Sequence, residues 1–150
     1  MTHISTKTYG HNIGLSVAFR QWRAESHCRL LHGYALQVRL EFEAQELDNN
    51  HWVVDFGSLK SFKKWLEDTF DHKLLVAEDD PALLIFEQLE AADLAKIVWL
   101  PATGCEAFAK FIYEKAETWL VDTGYAPRVG MRGVEVSEHG ANSAIYIGSD

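Results

Sequence analysis

Between Tyr34 and Glu43 the chain alternates cleanly. Leu36, Val38, Leu40 and Phe42 fall on one side, and Gln37, Arg39, Glu41 and Glu43 on the other. A period of two over that length specifies a strand with one buried face and one wet face. Its neighbours are read from the same pattern. Ile13 to Trp22 alternates in part and is expected to be extended, as is His51 to Phe56 after the turn residues Asp48-Asn49-Asn50. The period then changes. Leu59, Phe62, Leu66 and Phe70 recur at helical spacing, with Ser58 as the expected N-cap. Pro81 suits a first helical position, so Ala82 to Ala92 reads as a short helix. Lys96 to Leu100 is a short β-branched strand limited by Pro101. Cys105 to Val121 is a long helix whose stripe holds Phe108, Phe111, Ile112 and Trp119, with Lys115 as a flaw that snorkels. Val129 to Val136 and Ser143 to Ile147 are strands joined by His139-Gly140-Ala141-Asn142. The expected fold class is α+β, one antiparallel sheet with helices packed on one face.

A chain of 150 residues makes a single domain, 1–150, able to bury roughly 70% of its unfolded surface. The net charge of −8 argues against nucleic acid as a partner. A small anionic substrate stays open, since a basic pocket can sit within an acidic surface. Cys28 and Cys105 are too sparse for a disulfide framework. There is no apolar run of membrane-spanning length, and Met1-Thr2-His3-Ile4-Ser5 carries no signal pattern. No membrane partner and a cytoplasmic location are expected.

The chemistry-bearing segment is Cys28-Arg29-Leu30-Leu31-His32-Gly33. A thiol four residues before an imidazole, where a loop enters a strand, suits a thiolate- or metal-assisted site. It equally suits a small apolar residue beside a strand-edge histidine. Asp71-His72 puts a carboxylate next to an imidazole at a helix end, able to orient it for proton transfer or simply to meet solvent. Glu106 opens the long helix, where it also complements the dipole. Glu138 ends a strand, where a carboxylate can accept two hydrogen bonds from an amidine-like ring edge. His11 and His27 are loop histidines without a spacing signal.

In order along the chain, Phe19, Cys28-x-x-x-His32-Gly33, Val53-Val54-Asp55-Phe56-Gly57-Ser58-Leu59-Lys60, Phe70-Asp71-His72-Lys73-Leu74, Glu106-Ala107-Phe108-Ala109 and Val134-Glu135-Val136-Ser137-Glu138 with Tyr146 resemble the 6-pyruvoyl-tetrahydropterin synthase / 6-carboxytetrahydropterin synthase family. The resemblance implies the tunnelling fold (T-fold), a four-stranded antiparallel sheet with helices on one face. Subunits would join as a trimer or a homohexamer, with active sites between them. It implies a lyase acting on a pterin triphosphate, 7,8-dihydroneopterin triphosphate, with a Zn²⁺ ion polarising the side-chain oxygens. Carried over, Cys28 is the thiolate base, Asp71 and His72 the proton relay, and Glu138 the pterin anchor with Glu106 near it. The 6-carboxytetrahydropterin branch and the 7-deazaguanine route to queuosine are the expected product and pathway.

The metal site departs from the family. His32 matches one zinc ligand, but Tyr34 and Arg23 stand at the other two positions. One imidazole does not hold zinc where about three ligands are needed. Two arrangements stay open. In one, His27, or His11, joins His32, with Cys28 as a further ligand. In the other the site is metal-free and Arg23, with Arg20 and Arg29 close in sequence, binds phosphate and stabilises negative charge. Thr103 lies one position from the family's substrate-contacting threonine, ahead of Glu106. Beside the lyase stands an alternative: a catalytically altered or inactive, metal-poor homologue that binds a pterin or a purine.

Overall fold

Thirteen residues of alternating pattern form the strand on which the rest of the sheet assembles. The computed structural model describes residues 1–148. In chain order the elements are β1 (His3–Tyr9), β2 (Leu15–Phe19), β3 (His32–Ala44), α1 (Lys60–Phe70), β4 (Lys73–Ala77), α2 (Leu83–Ala91), β5 (Ile97–Leu100), α3 (Cys105–Asp122), β6 (Val129–His139) and β7 (Asn142–Ile147).

β3 takes two partners along one flank. Its first residues pair antiparallel with β2, from His32 opposite Phe19 to Leu36 opposite Leu15. Its later residues pair with β1, from Val38 opposite Tyr9 to Ala44 opposite His3. On the other flank β6 pairs antiparallel from Gln37–Ser137 to Ala44–Val129, and β7 follows outside it. β1, β3, β6 and β7 make an antiparallel set of four strands. β4 extends it beside β2 and β5 beside β4, both parallel, so the described residues form a mixed sheet of seven strands.

Leu36, Val38, Leu40 and Phe42 are buried as the alternation requires. Over them lie Phe62, Leu66 and Phe70 of α1 and Phe108, Ile112, Ala116 and Leu120 of α3. Phe108 meets Phe19 edge-on at 5.0 Å, which joins α3 to β2. A smaller cluster, Leu74, Val76 and Phe86, seats α2. The other face of β3 is polar, where Arg39 reaches Glu135 at 3.1 Å and Glu41 at 2.7 Å.

Several elements differ from expectation. The strand expected over Ile13–Trp22 spans only Leu15–Phe19, because His11–Ile13 coils into a 3₁₀ turn and the chain leaves the sheet after Phe19. His51 to Phe56 is not a strand. Val53 and Val54 are buried in a bend, where Arg128 donates to Val53 O at 2.9 Å and to Trp52 O at 3.4 Å. Asp55 rather than Ser58 makes the cap, accepting from Gly57 N–H at 2.9 Å ahead of a 3₁₀ turn that runs into α1. Pro81 precedes α2, which begins at Leu83. Lys115 lies outside the buried stripe of α3, exposed, with Nζ 5.8 Å from the Phe111 ring. β1 and β4 were not expected as strands.

Candidate functional site

The site begins where β2 ends. Past Phe19 the chain loops out through Arg20–Leu31 and returns as β3. That loop is pinned at four places. Thr103 Oγ1 donates to Arg20 O at 2.6 Å, and Gln21 N–H to Cys28 O at 2.9 Å. Arg20 Nη1 donates to Arg29 O at 3.3 Å. Arg20 also binds Asp80 twice, Nε to Oδ2 at 2.9 Å and Nη2 to Oδ1 at 2.6 Å. Within the loop Ser26 Oγ accepts from Cys28 N–H at 3.3 Å, capping a single 3₁₀ turn that holds Cys28 half-buried.

The β2–β3 register then sets the aromatic wall. His32 stands opposite Phe19 and Tyr34 opposite Val17, so both rings share the helix-side face. The His32 ring centroid is 5.0 Å from Phe19 and 5.3 Å from Tyr34. His32 Nδ1 lies 2.7 Å from Leu30 O. Glu138 follows Val134 and Val136 by period two, which carries it to the same face of β6. The neighbouring His139 ring is 6.1 Å from Tyr34. From above, α3 brings Cys105 and Glu106 in its first turn, after Gly104 at φ +113°.

These groups act on one another. Burial pushes the Tyr34 phenol up, and the charge of Glu138 pushes it further, with Cys28 and Cys105 adding to the effect. Burial raises the Cys105 thiol to about 12, reinforced by Glu138 and Glu106. Cys105 is therefore a thiol at neutral pH. Cys28, Tyr34, Cys105 and Glu138 form one cluster at the head of the sheet.

Other expected site residues lie elsewhere. Asp71 Oδ1 is 2.7 Å from His72 Nδ1 and accepts from Ser16 N–H at 3.2 Å. Burial pushes the Asp71 carboxyl up, but the His72 ring and the Ser16 N–H outweigh it and hold it below its ordinary value. His72 adopts φ 58° and donates its N–H to Ser16 O at 2.7 Å, so the pair is anchored three residues along β2 from Phe19. Among the described residues no hydrogen bond links it to Cys28 or Glu138. Arg23 is bound to Asp79 at 3.0 Å, with its guanidinium 4.3 Å from the Trp22 ring centroid. His27 and Glu106 are exposed. Thr103 spends its hydroxyl on Arg20. A groove of about 130 Å³ lined by Gln21, Trp22, Arg23, Asp79 and Thr103 opens beside the loop.

The zinc set implied by the resemblance does not fit these residues. Among the described residues no three His, Cys, Asp or Glu side chains are grouped to hold a metal ion. Two participants escaped sequence reasoning. Tyr34 registered only as a replaced ligand, and Cys105 only as the start of a helix. No helix among the described residues is long and apolar enough to cross a membrane.

The family model described as 6-pyruvoyl tetrahydropterin synthase matches residues 10–149. A 6-carboxy-5,6,7,8-tetrahydropterin synthase of Rickettsia conorii is 31% identical over 77 residues, 51% of this chain and 54% of that protein. The chain thus spans about half the length of that relative. The synthase of the same description from Aquifex aeolicus is 24% identical over 137 residues, covering 89% of this chain and 83% of its own. Among solved structures, an uncharacterised protein of Wolinella succinogenes superposes with a TM-score of 0.83 at 20% identity, over 99% of both chains. The Plasmodium vivax 6-pyruvoyltetrahydropterin synthase superposes at 0.67 and 15% identity, over 96% of this chain and 97% of its own. At those identities the structures establish a shared fold.

Proposed function

The chain belongs to the 6-pyruvoyl tetrahydropterin synthase family, and from that premise we propose that it is a 6-carboxytetrahydropterin synthase-like lyase acting on 7,8-dihydroneopterin triphosphate. The observation that carries the reading is Glu138. It is a carboxylate at a strand end, flanked by Tyr34, Cys105 and the half-buried Cys28. A carboxylate at a strand end suits the guanidine-like edge of a pterin, which offers two parallel N–H groups.

In this reading Cys28, as thiolate, takes a proton from the substrate side chain, and His72, oriented by Asp71, returns one. Asp71 and His72 sit apart from Cys28 within one chain, which supports a site completed by a second subunit in a trimer or hexamer. Arg29 is exposed on the loop and supplies positive charge for the triphosphate, whereas Arg20 and Arg23 are paired with Asp80 and Asp79. The setting proposed is cytoplasmic, in a 7-deazaguanine (queuosine-type) route. A second reading is favoured by the poor fit to zinc: a homologue that binds a pterin or purine without turning it over.

The test is incubation of the full chain with 7,8-dihydroneopterin triphosphate, following pterin product and released triphosphate by chromatography. Turnover abolished by Cys28→Ala with ligand affinity retained supports the lyase. Binding without product supports the second reading. Neither binding nor product overturns both.

A further inference from the structure

We propose that the pocket between β1 and the start of α1 is an anion site, which takes a phosphate or diphosphate group on Lys7, Lys60, Lys63 and the Tyr9 hydroxyl. It lies at the opposite end of α1 from Asp71 and His72, and the 11 residues of that helix separate them by about 16 Å. Binding there is independent of the reaction proposed above.

Charge is the first observation. The pocket holds about 250 Å³, and three lysines line it, Lys7 from β1 with Lys60 and Lys63 from α1. No carboxylate lines it among the described residues. The whole chain carries 22 acidic residues against 14 basic ones, so a wall of cations alone runs against its average. Lys63 meets Glu67 only at 3.9 Å, with both side chains exposed. Among the described residues neither Lys7 nor Lys60 has an ion pair. Gathered cations repel one another, and a bound oxyanion reverses the sign of that energy. Lys60 and Lys63 also stand at the start of α1, whose first turn holds no acidic residue. The helix dipole there disfavours a cation and favours an anion. The nearby Asp55 carboxylate is engaged in capping, by the Gly57 N–H at 2.9 Å.

The second observation is a donor with nothing to donate to. Tyr9 lines the same pocket and is only 3% exposed. Its hydroxyl is buried and has no hydrogen-bond partner among the described residues. Period two along β1 puts Lys7 and Tyr9 on one face, and Lys7 Nζ lies 5.7 Å from the Tyr9 ring centroid. Folded proteins rarely leave a buried hydroxyl unpaired, and a ligand accounts for one that is. Burial pushes the Tyr9 phenol up to about 12, so it is a protonated donor at neutral pH.

A phosphoryl oxyanion suits this set. Each ammonium is a point charge with three donors, which phosphate oxygens accept from several directions. The phenol adds one directional O–H. Three positive charges match a diphosphate more nearly than a single carboxylate.

The test is calorimetric titration of the full chain with inorganic phosphate, diphosphate and phenyl phosphate, in phosphate-free buffer at low ionic strength. A single diphosphate per chain, bound more tightly than phosphate, is expected. Tyr9→Phe and Lys60→Gln should each weaken it about tenfold, the worth of one hydrogen bond to a charged group. Lys64→Gln should keep wild-type affinity, since Lys64 donates to Asp68 at 2.9 Å and does not line the pocket. Melting temperature gives a readout that a structural role would not. Without anion, Tyr9→Phe and Lys60→Gln should melt at or above the wild type, and diphosphate should raise the wild type more than either variant. Phenyl phosphate bound as tightly as phosphate assigns the site to the phosphate group of a larger molecule. Inorganic ions bound alone assign it to the free anion, and both results support the proposal. No binding of any of the three overturns it. So does wild-type diphosphate affinity in either Tyr9→Phe or Lys60→Gln, or a loss in Lys64→Gln equal to theirs, the mark of unlocalised attraction to lysine.

Discussion

Removing Arg20 is expected to damage this protein more than removing its partner Asp80. The Asp80 side chain is 1% exposed and that of Arg20 22%. Arg20→Met leaves a buried carboxylate with one donor in place, the Ala82 N–H at 2.8 Å. Stranding one member of a buried pair costs about 3–5 kcal/mol. The surviving Ala82 bond puts the expected loss near the lower end, about 3 kcal/mol. For a chain of this length that lowers the melting temperature by roughly 6–12 °C. Asp80→Asn strands a guanidinium that still reaches water and Arg29 O, so about 1–2 kcal/mol is expected. The double variant Arg20→Met/Asp80→Leu recovers much of the loss, since no unpaired charge remains. Acid gives an independent check. Burial pushes the Asp80 carboxyl up, yet the bonds from Arg20 and Ala82 prevail and hold it below its ordinary value. Its stabilisation is therefore complete above the unfolded value of about 3.9 and fades as pH falls through the folded one. The gap between wild type and Asp80→Asn should close in acid. Urea unfolding followed by circular dichroism, at neutral pH and in acid, measures all of this. Equal losses for Arg20→Met and Asp80→Asn would refute the argument from unequal burial. Both variants falling within about 0.5 kcal/mol of wild type, the range of ordinary surface changes, would refute the pair's role altogether.

Tyr9 is buried and its hydroxyl has no partner among the described residues; Tyr9→Phe should be neutral or stabilising by up to about 1 kcal/mol in the same urea assay. A Cβ at Gly133 would lie 2.9 Å from both Tyr146 O and Ile147 Cδ1, so Gly133→Val should cost about 1–3 kcal/mol by forcing β7 off β6, with hydrogen exchange showing early opening of β7. Asp71→Asn should reduce kcat sharply while stability changes by less than about 1 kcal/mol, because the Asp71–His72 pair is solvent-screened. Its Asp71 contribution is present above the unfolded carboxylate value of about 3.9 and vanishes below the lowered folded one, so unfolding curves of variant and wild type should merge in acid.

What the sequence disclosed followed the reach of local pattern. β3, α1 and α3 were legible because their buried faces repeat over two turns or more. β1 was not, because Ser5, Thr6, Lys7 and Thr8 bury little and gain their structure from backbone pairing with β3. β4 is five residues long, directly behind a helix, and buried on both faces, so it has no alternation to read. Val53 and Val54 looked like a strand since β-branching favours one. The carbonyls of Trp52 and Val53 are instead satisfied by Arg128, a partner no local window contains. In the candidate site, Cys28 and His32 stand out by their spacing and Glu138 only through the family resemblance. The Tyr34–Glu138–Cys105 cluster was not, because it depends on β3–β6 register and on where α3 begins. The closing of Arg20 on Asp80 was not legible either, since 60 positions separate the two.

The two-sided pairing of β3 also has a consequence for synthesis. Its first flank is complete once Ala44 is made, since β1 and β2 precede it. The second flank waits for β6, beginning at Val129. Translation at about 5–20 residues per second leaves that interval open for roughly 4–17 seconds. Throughout it a long strand with an apolar face presents unpaired backbone to solvent, a template for any other nascent strand. Gln37, Arg39, Glu41 and Glu43, alternating with the apolar residues, put charge along that open edge. The same side chains that make one face of the finished sheet polar guard the unfinished chain against sticking to its neighbours on the polysome.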